Sequence, residues 1–139
     1  KGQEFGTVTK RKRRCGWFDT VLVGQSIAIN GITDLVLTKL DVLDELEEIK
    51  VCVGYEAKNK KYSYLPFDEN IHNILMPIYE TIPGWQKSTF GLTSWDDLPK
   101  KAQAYISFLE SKIQKNISII STGPDRAHTI DRNNLLGNN

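Results

Sequence analysis

Apolar residues recur along the chain in short strand-like runs and in longer segments with helical spacing. The strand-like runs cover residues 33–39, 49–56, 61–65 and 117–122. Helical spacing predicts two longer helices, at residues 17–30 and 98–114. The pattern predicts an α/β fold with a short, mostly parallel sheet, flanking helices and a peripheral hairpin formed by the second and third strands.

The same pattern assigns individual residues to the core. The apolar side of the first helix is predicted to contain Trp17, Phe18, Val21, Leu22 and Ile29. The core face of the second helix is predicted to contain Ala102, Tyr105, Ile106, Leu109 and Ile113. Trp85 and Trp95 are expected at the edge of the core. We also expect a solvated acidic turn at residues 44–48, a helix after residue 126, and structural or surface roles for His72 and His128.

The strand around residues 35–38 stops abruptly at polar residues, because Lys39 and Asp41 follow it on either side of Leu40. In open α/β sheets, ligands bind at the carboxyl ends of strands. An ionised Asp accepts two parallel hydrogen bonds, which matches the ring N1–H and exocyclic amine of guanine and mismatches adenine. The aliphatic stem of Lys39 can cover a flat base. This strand end is a candidate guanine reader, although Lys and Asp here are also typical of solvated surface.

The strand at residues 117–122 ends in a similar arrangement. Its apolar residues run into a tight turn that contains Ser121, Thr122 and Gly123. Gly123 would let the backbone approach a ligand closely, and the amides of the turn could donate hydrogen bonds to a base oxygen. Two such strand ends in one small sheet support a base site more strongly than either end alone.

Composition is that of an ordinary soluble globular domain. The chain has 139 residues, of which 40% are hydrophobic and 25% charged, which suits a single domain. No apolar run reaches membrane-spanning length, and no signal-peptide pattern opens the sequence. The two cysteines, Cys15 and Cys52, form no metal or disulfide framework and indicate reduced, half-buried packing residues in a cytosolic protein.

Positive charge is concentrated at the start of the chain. Residues 1–14 contain six basic side chains and one acidic side chain, whereas the whole chain has a net charge of +1. The run at residues 10–14 is typical of a nucleic-acid or nuclear-localisation patch, or of a solvated loop. It also suits a loop that clasps a small anion, because Arg binds carboxylate and phosphate through two parallel hydrogen bonds. Residue chemistry alone leaves these interpretations open.

Four stretches carry a more specific pattern. They are Gly2-Gln3-Glu4-Phe5-Gly6-Thr7-Val8-Thr9 with Arg11, Arg13, Arg14 and Gly16-Trp17-Phe18-Asp19, then Leu37-Thr38-Lys39-Leu40-Asp41-Val42-Leu43-Asp44, Pro83-Gly84-Trp85 and Ser121-Thr122-Gly123-Pro124-Asp125-Arg126. In this order they closely resemble the last third of adenylosuccinate synthetase, over residues 2–130. The resemblance implies a ligase that joins IMP to L-aspartate with GTP and Mg²⁺. It phosphorylates the purine 6-oxygen and then displaces the phosphate with the aspartate amine.

The resemblance also implies roles for individual residues. The aspartate-binding residues, within a loop at residues 1–16, are Thr7, Val8, Thr9, Lys10, Arg11, Lys12 and Arg13. Arg11 would also approach the IMP ribose, and Arg13 would approach GTP. The remaining GTP-binding residues, in strand-end segments 33–56 and 117–126, are Lys39, Leu40, Asp41, Ser121, Thr122 and Gly123.

The match has two departures. Lys10 stands where the family loop normally carries Gly, just before its first arginine. If that position needs a positive φ, a lysine there costs about 1 kcal/mol of backbone strain. The sequence from Asp131 onward also leaves the usual family pattern, and we expect residues 131–139 to form a tail.

The resemblance places the catalytic Asp and His, the phosphate-binding loop and the Mg²⁺ ligands upstream of these 139 residues. We therefore expect residues 1–139 to be a single C-terminal fragment, without catalytic or metal residues and inactive alone. The intact enzyme is expected to be a cytoplasmic homodimer that binds neither nucleic acid nor membrane. Two alternatives remain. One is a guanine-nucleotide-binding module of another kind, where Thr-Lys-x-Asp also occurs, and the other is a basic nucleic-acid-binding protein.

Overall fold

The computed structural model describes residue 5 and residues 10–137. In chain order, its elements are β1 (Phe18–Asp19), α1 (Thr20–Asn30), β2 (Leu35–Leu37), a 3₁₀ turn (Leu40–Leu43), β3 (Glu48–Ala57), β4 (Lys60–Tyr62), α2 (Glu69–His72), β5 (Met76–Pro83), α3 (Lys100–Ile113), β6 (Ile117–Ser121) and β7 (Thr129–Asp131). Helices and strands are mixed along the chain. The predicted α/β class is confirmed.

The strands form two sheets. In the first sheet, β3 pairs in parallel with β1 and antiparallel with β4 and β5. In the second sheet, β6 pairs in parallel with β2 and antiparallel with β7. The expectation of one mostly parallel sheet is therefore wrong. Short connections, such as the turn between β3 and β4, bring strands together antiparallel, whereas parallel pairing needs a long crossover.

The predicted hairpin is confirmed in β3 and β4. Lys58 and Asn59 join the two strands with φ values of 50° and 61°. Two consecutive positive φ angles are the geometry of a type I′ turn, which matches the twist of the paired strands. The hairpin is less peripheral than expected, because β3 also pairs with β5 and forms the middle of its sheet.

Helix α1 begins three residues later than predicted. The Asp19 carboxylate accepts hydrogen bonds from the Val21 and Leu22 amides, both at 3.0 Å, and so caps the helix. Gly31 ends it with a φ of 61°, in the left-handed region. The predicted apolar side is largely wrong, because the side chains of Trp17, Leu22 and Ile29 are exposed.

Helix α3 agrees closely with the prediction. Its five predicted core residues, Ala102, Tyr105, Ile106, Leu109 and Ile113, are all buried. Tyr105 packs against the buried Trp85, with ring centroids 5.7 Å apart. The larger hydrophobic cluster is built from this helix together with residues of β3 and β6, and Trp95 packs against it from the edge.

The chain after residue 126 forms a strand, not the predicted helix. The Thr122 amide donates to the carbonyl oxygen of His128 at 2.9 Å, so the chain folds back and β7 pairs with β6. The Asp131 carboxylate then accepts hydrogen bonds from the amides of Asn133, Leu135 and Leu136. This carboxylate fixes the start of the predicted tail. In the described part of the chain, none of the helices has the length and apolar character needed to cross a membrane.

Candidate functional site

A cleft of about 850 Å³ opens where β2 and β6 leave their sheet. The two strands are parallel, with Leu37 opposite Ile120, so the residues that follow them emerge at the same edge. We call this hollow the strand-end cleft. The residues that line it include Lys39, Asp41, Ser88, Phe90, Ser121 and Gly123. The structure therefore brings together four of the residues predicted to bind GTP.

The chain changes direction after β2 at Lys39, which has a left-handed backbone conformation. Lys39 has a φ of 61°, and the chain passes from it directly into the 3₁₀ turn. Leu40 then enters the core and is 1% exposed, whereas Asp41 lines the cleft. Among the described residues, no hydrogen bond or ion pair engages the Asp41 carboxylate, whose oxygens remain available to a ligand.

Two predicted site residues have buried side chains. Leu40 belongs to the main hydrophobic cluster. Thr122 is fully buried, and its hydroxyl lies 2.8 Å from the Leu92 carbonyl oxygen and 3.2 Å from that of His128. The structure therefore gives both side chains a role in packing rather than in lining the cleft.

Gly123 is needed for a different reason from the one predicted. A Cβ atom at this position would lie 2.5 Å from Nδ1 of His128, which is closer than real Cβ contacts. The Ser121 hydroxyl donates to the Gly123 carbonyl oxygen at 2.9 Å. The absence of a side chain at Gly123 therefore leaves space for the His128 ring, which packs against the turn at residues 121–123. His128 has a structural role, as expected from the sequence, but its buried Nδ1 has no hydrogen-bond partner among the described residues.

Asp44 is a cleft residue that sequence reasoning missed. It was expected in a solvated acidic turn, but it is 5% exposed and lines the cleft. Its Oδ1 accepts hydrogen bonds from Trp85 Nε1 at 2.8 Å and Thr89 Oγ1 at 2.7 Å, and its Oδ2 accepts one from the Thr89 amide at 2.9 Å. The donors lie 41 and 45 residues away. No local pattern could have revealed them.

The basic loop is only partly described. Thr7, Val8 and Thr9 lie outside the described residues. Lys10, Arg11, Lys12 and Arg13 are exposed, and none of them lines the strand-end cleft. Gly16, just beyond the loop, lines a second hollow of about 220 Å³ together with Thr38 and Lys39. The end of the loop therefore lies beside the first strand end.

Lys10 adopts the positive φ that was considered for this position in the sequence analysis. Its φ is 52°, in the left-handed region that favours glycine. Lys12 forms an isolated antiparallel bridge with Phe5, so the two sides of the loop meet. The loop therefore carries backbone strain at Lys10, where the resemblance described above implies a Gly.

The remaining chemistry of the described residues is limited. Within residues 10–137, no three His, Cys, Asp or Glu side chains stand close enough to hold a metal ion. Cys15 and Cys52 are free thiols, the first exposed and the second buried, rather than both half-buried. Burial raises the pKa of Tyr105, which lines the 220 Å³ hollow, to about 12.

The fold and the cleft together define a class of protein. It is a mixed α/β protein with a cleft lined by both polar and apolar residues at the carboxyl ends of parallel strands, the usual place for a nucleotide-sized ligand. Comparison with known proteins then identifies the family. The family model for adenylosuccinate synthetase matches residues 1–130. The chain belongs to the adenylosuccinate synthetase family, which decides against a guanine-nucleotide-binding module of another kind.

Individual relatives agree with this assignment. The chain is 53% identical over 133 residues to adenylosuccinate synthetase from Ehrlichia canis, and 51% identical over 137 residues to that from Marinobacter nauticus. These matches cover 96% and 99% of the chain, but 31% and 32% of the relatives. The structure of fully ligated adenylosuccinate synthetase from Plasmodium falciparum superposes with a TM-score of 0.88 at 37% identity, over 94% of this chain and 32% of that one. The chain thus spans about a third of the length of these relatives.

Proposed function

We propose that this chain supplies the guanine-recognition and aspartate-recognition segments of an adenylosuccinate synthetase. The whole enzyme would ligate IMP and L-aspartate to adenylosuccinate, with GTP converted to GDP and phosphate. It would act in the cytoplasm as a homodimer. Family membership supports this reaction, and the strand-end cleft supports the part that this chain would play in it.

The single observation that carries the proposal is the Asp41 carboxylate, which lines the cleft without a partner among the described residues. Two acceptor oxygens match the N1–H and exocyclic amine of guanine, which are adjacent donors. Adenine offers an acceptor at N1, so it would leave one carboxylate oxygen facing a lone pair. Asp41 would therefore select guanine.

The turn at Ser121 and Gly123 would close the other side of the base. It lies across the cleft edge from Asp41, because β2 and β6 run in parallel and end together. Thr122 and Leu40 would contribute through their backbone and through the packing that holds the two strand ends. This division assigns base selection to Asp41 and support to the buried residues.

The basic loop would hold the aspartate substrate. Thr7, Val8, Thr9, Lys10, Arg11, Lys12 and Arg13 offer hydroxyls, amides and guanidinium groups to its carboxylates, and Arg groups form paired hydrogen bonds with such anions. Arg11 would also contact the IMP ribose, and Arg13 the GTP side. Gly16, at the end of this loop, and Lys39, which lines the strand-end cleft, line the same 220 Å³ hollow, so the loop lies close to the cleft.

Acid–base catalysis and metal binding are assigned to the remainder of the enzyme. Mg²⁺ prefers carboxylates and phosphate oxygens in octahedral geometry, and the described residues offer no cluster of acidic side chains for it. When bound, Mg²⁺ would neutralise charge on the GTP phosphates. This chain's own residues would bind and orient the base and the amino acid.

The proposal is tested by calorimetric titration of the chain with GDP, ADP and XDP, on wild type and on Asp41→Asn. Wild type should prefer GDP. Asn carries a donor where Asp has only acceptors, so the variant should lose about 1–3 kcal/mol of GDP binding and shift its preference towards XDP, whose 2-oxygen accepts a hydrogen bond.

An Asp125→Asn variant provides a matched control, because Asp125 is an exposed carboxylate on the turn after β6 that caps the Ala127 amide and does not line the cleft. It should keep the wild-type preference. Equal affinity of wild type for all three nucleotides, or an Asp41→Asn variant that still prefers GDP over XDP, would contradict guanine selection by Asp41.

A further inference from the structure

Phe90 exposes a large apolar side chain next to a buried segment of backbone. It is 56% exposed, although its neighbour Thr89 is fully buried. The amide of the following residue, Gly91, donates to the Thr122 carbonyl oxygen at 3.2 Å. The backbone on both sides of Phe90 is therefore fixed, while its ring projects into the strand-end cleft. An aromatic ring held in this way is a preformed flat surface.

The Asp44 hydrogen bonds explain why this backbone is fixed. Three donors from Trp85 and Thr89 converge on one buried carboxylate at 2.7 to 2.9 Å. Hydrogen bonds to a charged acceptor are the stronger kind. The segment from Trp85 to Thr89 is thereby attached to the 3₁₀ turn that carries Asp41.

The Phe90 ring is also supported from the β6 side. It meets the His128 ring edge to face, with centroids 4.9 Å apart and planes at 63°. His128 in turn lies against Gly123, with no space for a Cβ between them. The Phe90 ring therefore packs against His128, which in turn packs against the turn at Gly123. These contacts restrict the orientation of the Phe90 ring.

We propose that Phe90 is a base-stacking wall of the strand-end cleft. This inference rests on the proposed guanine site. A purine whose edge meets Asp41 presents two flat faces, and the cleft offers the Phe90 ring and the Lys39 stem as apolar surfaces to cover them. Every base has a π-face, so stacking adds affinity without selecting the base. Phe90 would set how tightly a purine binds, and Asp41 would set which purine.

The division of roles gives a specific test. In calorimetric titrations of the chain, Phe90→Ala should weaken binding of GDP and of XDP by the same factor, about tenfold each, because one stacking contact is lost. The ratio of the two affinities should stay at its wild-type value. Phe90→Tyr keeps an aromatic face and should bind both nucleotides like wild type.

Phe67 provides the matched control, because it is 86% exposed and does not line the cleft. Phe67→Ala removes an exposed ring of the same size and should leave both affinities unchanged. Circular dichroism of each variant would establish that the fold is retained, as expected for exposed side chains.

Three results would overturn the inference. Wild-type affinity in Phe90→Ala would remove Phe90 from the site while leaving guanine selection by Asp41 intact. If Phe90→Ala lost affinity for GDP but not for XDP, Phe90 would contact the edge of the base rather than its face. Absence of GDP and XDP binding to the wild-type chain would overturn the proposed base site and the stacking wall together.

Discussion

At the residue scale, Lys10 is the strained residue among the described residues of the basic loop. Its φ of 52° places it in the left-handed region, where a non-glycine residue crowds its Cβ against the backbone. Lys12, two residues further on, carries no positive φ and bridges Phe5 across the loop. Comparing glycine substitutions at Lys10 and Lys12 therefore distinguishes the relief of backbone strain from the general effect of introducing glycine.

Lys10→Gly and Lys12→Gly should therefore differ in stability. Glycine lowers the free energy of unfolding by about 0.5–1 kcal/mol through chain entropy, and at Lys10 the relief of about 1 kcal/mol of strain offsets this loss. We expect Lys10→Gly to be near neutral and Lys12→Gly to be destabilised in urea unfolding. Equal losses in both variants would show that the loop stores no strain at Lys10.

Single residues also show what sequence could predict. Lys39, Asp41, Ser121 and Gly123 were predictable because they follow apolar runs directly, and position after a strand is a local signal. Asp44 was not, because its partners come from a distant segment and its neighbours in sequence are acidic and exposed. Burial of a carboxylate depends on donors that only the tertiary fold supplies.

At the element scale, the connection after β5 depends on close backbone packing. A Cβ at Gly84 would lie 1.8 Å from the Leu46 carbonyl oxygen, and the Gly84 amide donates to the Glu47 carbonyl oxygen at 2.8 Å. Gly24, within α1, has nothing within 4 Å of the corresponding Cβ position. The two glycines therefore differ in the space that surrounds them.

Alanine should have opposite effects at these positions. Gly84→Ala must displace backbone, and we expect it to lower the free energy of unfolding by about 3 kcal/mol, the upper end for overpacking. Gly24→Ala should raise it by about 0.5–1 kcal/mol, because alanine favours the helix. Urea unfolding measures both effects. A tolerated alanine at Gly84 would contradict the close contact with Leu46.

Helix α3 carries a titratable group in the core. Burial raises the pKa of Tyr105 to about 12 in the folded chain, above its ordinary value near 10. Because the folded pKa is the higher one, the neutral tyrosine contributes stability that is fully present below pH 10. This contribution is lost as the pH rises from 10 through about 12.

Thermal unfolding between pH 9 and pH 12 should therefore show falling stability in wild type, with a smaller fall in Tyr105→Phe. Phe is isosteric and cannot ionise, so the difference between the two profiles reports Tyr105 alone. Parallel profiles would show that the Tyr105 hydroxyl ionises as easily in the folded chain as in the unfolded chain.

Elements were predicted unequally well. The core stripe of α3 gave a reliable signal because all five of its predicted core residues are buried, four of them in the main hydrophobic cluster. The apolar side of α1 was misleading, since Leu22 and Ile29 are exposed in this chain. Sheet order could not be predicted from the sequence, because the pairing of β3 with β5 and of β2 with β6 depends on long-range contacts.

At the scale of the whole molecule, apolar side chains are exposed on several elements. Val36 in β2 and Ile29 in α1 are 58% and 69% exposed, respectively. These side chains therefore present apolar surface to solvent in the described part of the chain. The chain also spans about a third of the length of its relatives.

The proposed guanine site consists of two strand ends of this chain. The most direct measurement is a titration of the ¹⁵N-labelled chain with GDP, followed by amide chemical shifts. We predict the largest changes at Lys39, Asp41, Phe90, Ser121 and Gly123. Changes confined to residues 10–14, which would indicate phosphate bound by the basic loop, or no changes at all, would contradict it.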